Sequence, residues 1–87
     1  MDTTKTAILD NLCYTELVYG RINKKLGTTY SEREIQALIH RLVRETEEGS
    51  FERIGKNIYV SNRRENLRIT INSWTYRVIT VDRIFKG

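Results

Sequence analysis

Apolar side chains in the first third of the chain fall at Ile8, Leu12, Tyr19, Ile22 and Leu26. Steps of three, four and seven residues place them along one side of an α-helix. Leu9, Leu17 and Val18 widen the stripe, and Gly27 stands where a helix C-cap belongs, with Lys24 and Lys25 suited to the negative end of the dipole. The pattern allows one helix over residues 4–26 or two. A break at Cys13-Tyr14-Thr15 is the preferred reading, because those side chains favour other states and Thr15 is placed to cap a helix starting at Glu16. A further helix is announced by Ser31-Glu32-Arg33-Glu34. This capping box predicts that Ser31 accepts from the Glu34 amide while Glu34 reaches back to the Ser31 amide. Ile35, Leu38, Ile39, Leu42 and Val43 form its apolar stripe, and Gly49 is the expected stop.

After Gly49 the period changes from helical to alternating. Phe51–Ile54 and Ile58–Val60 flank Gly55-Lys56-Asn57, a hairpin turn in which glycine and asparagine can take positive φ. Leu67, Ile69 and Ile71 alternate with Arg68, Thr70 and Asn72, as in a half-buried strand. Asn72-Ser73-Trp74-Thr75 reads as a turn, and Tyr76 to Ile84 as the longest strand, rich in β-branched residues. The pattern predicts an α+β fold: two or three N-terminal helices, then a three- or four-stranded antiparallel meander, in a winged-helix-like order. One domain spans residues 1–87, with a helical half over 4–48 and a β half over 51–85. Helices on one face of the sheet would bury both their own stripes and the Leu67/Ile69/Ile71 side.

Composition narrows the classes. With 39% hydrophobic and 30% charged residues, the 87-residue chain is too apolar for the signature of disorder. No stretch approaches the ~20 apolar residues of a membrane span, and Asp10 directly after Ala7-Ile8-Leu9 leaves no signal-peptide core. Cys13 is the only cysteine, so no internal disulfide can form, which fits a reducing compartment; a cytoplasmic location is expected.

The site chemistries of common enzymes find few residues to build on. His40 is the only histidine, on the polar side of its helix, and Cys13 has no activating base indicated nearby. A surface histidine and a small buried thiol are therefore the expectations. No metal site, cofactor or catalytic residue is assigned. Gly20, Gly27, Gly49 and Gly55 are isolated, so no phosphate loop exists. Glu45, Glu47 and Glu48 cluster where a helix dipole is negative, and pairing with Arg41 and Arg44, or plain solvation, accounts for them.

The segments Asn11 to Tyr19, Gly55 to Val60, Arg68 to Ser73 and Thr75 to Arg83 together resemble a small bacterial family catalogued as domain of unknown function 3781. The resemblance covers nearly the whole chain. It implies a stand-alone bacterial protein and brings no activity, cofactor or site.

Charge supplies the functional expectation. The net charge is +4, yet residues 51–87 alone carry eight basic and three acidic side chains, a balance of +5. Basic groups neutralise phosphates and aromatic rings stack on exposed bases. Lys56, Arg63, Arg64, Arg68 and Arg77 are the candidate phosphate contacts, with Tyr59 and Trp74 as stacking candidates. A winged helix would send the helix beginning at Ser31 into the major groove, but Glu32 and Glu34 in its first turn oppose that; the hairpin and sheet are the better surface. The expectation is a non-enzymatic nucleic-acid-binding protein. The alternative is a protein-interaction module, such as a mobile-element-encoded inhibitor of a nuclease, or a homodimer. The last strand motivates it: Tyr76 and Val78 on one side and Ile79 and Val81 on the other make a strand apolar on both faces, which is either central or in an interface.

Overall fold

A computed structural model describes residues 4–85. Three helices come first, α1 (Thr4–Asn11), α2 (Glu16–Leu26) and α3 (Glu32–Glu45), then a 3-10 turn at Glu48–Ser50. Four strands follow, β1 (Phe51–Ile54), β2 (Asn57–Asn62), β3 (Leu67–Asn72) and β4 (Val78–Arg83), as an antiparallel sheet in the order β1-β2-β3-β4. The α+β reading and the helices-then-meander order hold.

The helix boundaries follow local chemistry. The chain breaks between α1 and α2, where Thr15 takes an extended conformation as N-cap of α2. Gly27 closes α2 at φ 67°, a left-handed value that glycine adopts without a Cβ penalty. At α3, Ser31 Oγ accepts from the Glu34 amide at 3.1 Å and Glu34 Oε1 accepts from the Ser31 amide at 2.8 Å, the reciprocal cap expected. The far end differs from expectation, because α3 stops at Glu45 and Gly49 lies within the 3-10 turn. Thr46 ends the helix: its backbone is extended and its hydroxyl donates back to the Leu42 carbonyl. The Asn62 amide donates in turn to that hydroxyl, tying the helix end to β2.

One face of the sheet carries Ile58, Val60, Leu67, Ile69, Ile71, Val78 and Val81, all buried. Against it pack Ile8 of α1, Val18, Ile22 and Leu26 of α2, and Ile35, Ile39, Leu42 and Val43 of α3. α3 lies towards β2, α1 leans on α3, and α2 runs beside β4.

The last strand corrects the sequence reading. β4 begins at Val78, not Tyr76, and Tyr76 sits in the preceding turn at φ 58°. β4 is also an edge strand. Thr70 pairs with Thr80 while Ile71 pairs with Val78, so Ile79 is an inserted residue that shifts the alternation by one. Val78 and Val81 therefore face the same core, and apolar residues in both alternations do not mean apolar faces on both sides.

Both sheet edges are guarded. The β4 edge is bridged at its start by Cys13, whose amide donates to Tyr76 O at 3.1 Å and whose carbonyl accepts from the Val78 amide at 3.0 Å. Farther along, Arg21 of α2 donates to Ile79 O at 3.3 Å. The opposite edge, β1, is only four residues long and exposes Glu52, Arg53 and Ile54. Short charged edges resist pairing with other chains.

Candidate nucleic-acid interface

With the helices on one side, the alternation assigns the other side of the sheet to polar residues. Cross-strand pairing sets them in rows: Glu52, Tyr59, Thr70 and Thr80 in one, Ser61, Arg68 and Asp82 in the next. A third row runs from Asn57 to Asn72 and on to Arg77, whose carbonyl accepts from the Asn72 amide at 2.9 Å. This face carries two of the predicted phosphate contacts, Arg68 and Arg77, and the ring of Tyr59.

Local hydrogen bonds aim these groups. Arg68 Nε donates to Ser61 Oγ at 3.1 Å, which steadies the guanidinium over β2 and leaves its two terminal nitrogens for other acceptors. Asn57 offers its amide to the Tyr59 hydroxyl at 3.4 Å. At the turn end of the sheet, Asn72 Oδ1 accepts from the Trp74 and Thr75 amides at 2.8 and 2.9 Å. That side-chain turn holds Trp74 out with 76% of its surface exposed. Ser73 anchors the same loop to the β1–β2 turn, its amide and hydroxyl donating to Lys56 O at 2.8 and 2.9 Å. Lys56, Trp74 and Arg77 thus share one end. In the β1–β2 turn only Gly55 takes positive φ, at 60°, while Asn57 is the first residue of β2.

Arg63 and Arg64 lie at the opposite end, in the β2–β3 loop. Six-residue strands separate the two ends by roughly 20 Å at ~3.4 Å per residue. The seven predicted residues therefore occupy a face and both its ends rather than one cluster.

Two of the three acidic groups of the β half, Asp82 and Glu65, are drawn off by the helices, while Glu52 stays exposed on β1 with no ion pair among the described residues. Lys25 Nζ pairs with Asp82 at 2.9 Å, and Arg41 bridges Glu45 and Glu65 at 3.0 and 3.3 Å. The hydrogen bond that Arg41 donates to Glu65, more than the one it donates to Glu45, pushes the Arg41 pKa up. Among the described residues Arg63, Arg64, Arg68 and Arg77 enter no ion pair. Their charge stays directed outward. Lys86 lies outside the described residues.

The sequence reading missed a second set of cations. Arg21, Lys24 and Lys25 of α2 lie with Gly20 and Thr80 around an open groove of about 720 Å³ beside β4. Three cations within five residues, with Ile22 alone turned to the core, were the available signal. Only the docking of α2 along β4 brings them to the sheet.

The four interface candidates do not make a strip. Val78 and Val81 are 1% and 0% exposed in the core, Tyr76 is half-buried against it, and the Ile79 carbonyl is occupied by Arg21. Cys13 is exposed rather than buried: it is held at the β4 edge by its backbone, and its thiol donates to Thr75 O at 3.4 Å. His40 is exposed on α3, 3.4 Å from Arg44. Tyr14, stacked on Tyr19 with centroids 5.7 Å apart, has its phenol pKa pushed up to about 12, first by burial and then by Tyr19 and Cys13. Among the described residues no three His, Cys, Asp or Glu side chains group as metal ligands, and no helix is long and apolar enough to cross a membrane.

Compared with known proteins, residues 6–82 match the model of a family described as "Protein of unknown function (DUF3781)". No curated protein and no solved structure matches.

Proposed function

The chain belongs to the DUF3781 family, and from that premise, which brings no activity with it, we propose that it is a non-enzymatic nucleic-acid-binding protein working through its uncovered sheet face and the turns at its ends. The observation that carries this reading is electrostatic. Arg63, Arg64, Arg68 and Arg77 have no carboxylate partner among the described residues, whereas Asp82 and Glu65 are held by Lys25 and Arg41. Unpaired guanidinium groups release counterions when they meet phosphates, which is the main source of affinity for a polyanion.

Single strands suit the surface better than duplex. Trp74 is 76% exposed, and a ring can stack only on a base whose face is open. A duplex reader needs an element entering a groove, and the first turn of α3 presents Glu32 and Glu34. The exposed thiol of Cys13 suits a reducing compartment. A protein partner has less support, because the exposed Leu17, Ile54 and Phe85 stand on α2, at the end of β1 and beyond β4.

The test is fluorescence anisotropy of a labelled oligothymidylate over a range of salt concentrations. Affinity should fall with salt, by a log–log slope of about 0.7 per phosphate contact. Arg63→Ala with Arg64→Ala should weaken binding and flatten the slope. Salt-independent binding, or none at low salt, would remove the proposal.

A further inference from the structure

The groove between α2 and β4 has no part in the surface read from sequence, yet it gathers charge of the same sign. Its walls are Gly20, Arg21, Lys24 and Lys25 on the helix side and Thr80 on the sheet side. The three cations differ in how far they are committed. Lys25 is neutralised by Asp82 at 2.9 Å. Arg21 spends one terminal nitrogen on Ile79 O and keeps its other donors. Lys24 makes no hydrogen bond or ion pair among the described residues and is exposed. Gly20 adds no side chain to the wall, so the opening between Arg21 and Lys24 is not obstructed from that position.

Thr80 on the sheet wall has its hydroxyl buried, with no hydrogen-bond partner among the described residues, so the donors that face the groove come from the helix. A groove with spare guanidinium and ammonium donors fits a ligand that only accepts. A phosphodiester group is such a ligand, and a planar guanidinium matches two of its oxygens at once.

Position connects the groove to the face. Thr80 closes the row that contains Tyr59 and Thr70, and Asp82, held by Lys25, closes the row that contains Arg68. A strand lying across the sheet from Tyr59 or Arg68 therefore runs over β4 directly into Arg21 and Lys24. We infer that the α2–β4 groove seats a backbone phosphate of a single-stranded nucleic acid as that strand leaves the sheet face. The inference rests on the proposed function and adds to it a contact site and a path.

The experiment measures oligothymidylate binding by anisotropy for the full chain and three variants. Arg21→Ala with Lys24→Ala should lower affinity about tenfold at low salt and reduce the salt slope by about 1.4, two contacts at about 0.7 each. Because Arg21 also holds the Ile79 carbonyl, Lys24→Ala alone is the variant that leaves the fold untouched, and it should lower affinity about threefold. Arg33→Ala with Arg44→Ala removes equal charge from α3 and should change affinity less than twofold. If the α3 variant weakens binding as much as the α2 variant, net charge is the cause and the groove is overturned. If wild-type binding is salt-sensitive but neither α2 variant changes it, the groove is overturned and the sheet-face reading stands. If the wild-type chain does not bind at low salt, both are overturned.

Discussion

Replacing Thr80 by valine should make this protein more stable, an unusual direction for a substitution inside a sheet. The Thr80 hydroxyl is the one buried side-chain oxygen or nitrogen without a partner among the described residues. In the unfolded chain the same hydroxyl is hydrated, so folding forfeits its hydrogen bonds without replacement, at a cost of ~1–3 kcal/mol on mutational evidence. Valine keeps the β-branched shape, so neither the χ1 preference nor the fit to a pleated strand is disturbed. Its extra methyl gains at most ~0.8 kcal/mol of burial. Thr80 is only half-buried as a whole residue, so the lower end of these ranges applies. A net gain of ~1 kcal/mol is expected, worth ~4–8 °C in Tm for a domain of this size. Thermal and urea unfolding followed by circular dichroism measure it. An unchanged or lowered midpoint would show that the hydroxyl does find an acceptor in the folded protein, and would refute the reasoning.

Two further expectations concern the helical half and its junction with the sheet. Asn62 donates to the Thr46 hydroxyl at 3.1 Å and accepts from the Glu65 amide at 2.9 Å, and it is buried. Asn62→Ala removes both bonds and should cost ~1–3 kcal/mol, read as a lower urea midpoint; a loss below ~0.5 kcal/mol, the scale of an ordinary surface change, would refute the junction's role. Tyr14 should ionise late, with a pKa of about 12. Its folded pKa is raised above the unfolded value of ~10, so the stability it contributes is complete below pH ~10 and is lost as pH rises towards 12. Absorbance titration at alkaline pH should show this late step, and Tyr14→Phe should abolish it; an unchanged titration of the variant would refute the assignment.

Much of the fold was legible because it depends on neighbours close in sequence. The capping box at Ser31, the left-handed close of α2 at Gly27 and the break before Glu16 are settled within a few residues of chain. The half-buried strand at Leu67, Ile69 and Ile71 was equally plain. The errors arose where distant contacts intervene. Helix α3 ends early because Thr46 is engaged by Asn62, sixteen residues on. Cys13 is a small apolar-type side chain with every reason to be buried, yet its backbone is recruited to cover the β4 edge and its side chain is left outside.

The candidate surface divides in the same way. Alternation along β3 is enough to put Arg68 on the side opposite Ile69 and Ile71, and composition is enough to show excess positive charge in the last 37 residues, 51–87. Neither can show that Arg63 and Arg64 stand a strand's length from Lys56 and Arg77, since that separation depends on strand register.

What the chain alone determined is the list and order of its elements and the sign of its charge, because hydrophobic period, caps and ionisable groups act locally or simply add. Only the folded arrangement decided which charges remain available. Packing α2 beside β4 and α3 towards β2 is driven by burial of Ile22, Leu26, Ile35 and Ile39, and burial is indifferent to where the outward cations land. That packing brought Lys25 to Asp82 and Arg41 to Glu65, left Arg63, Arg64, Arg68 and Arg77 without an ion pair among the described residues, and set Arg21 and Lys24 beside Thr80.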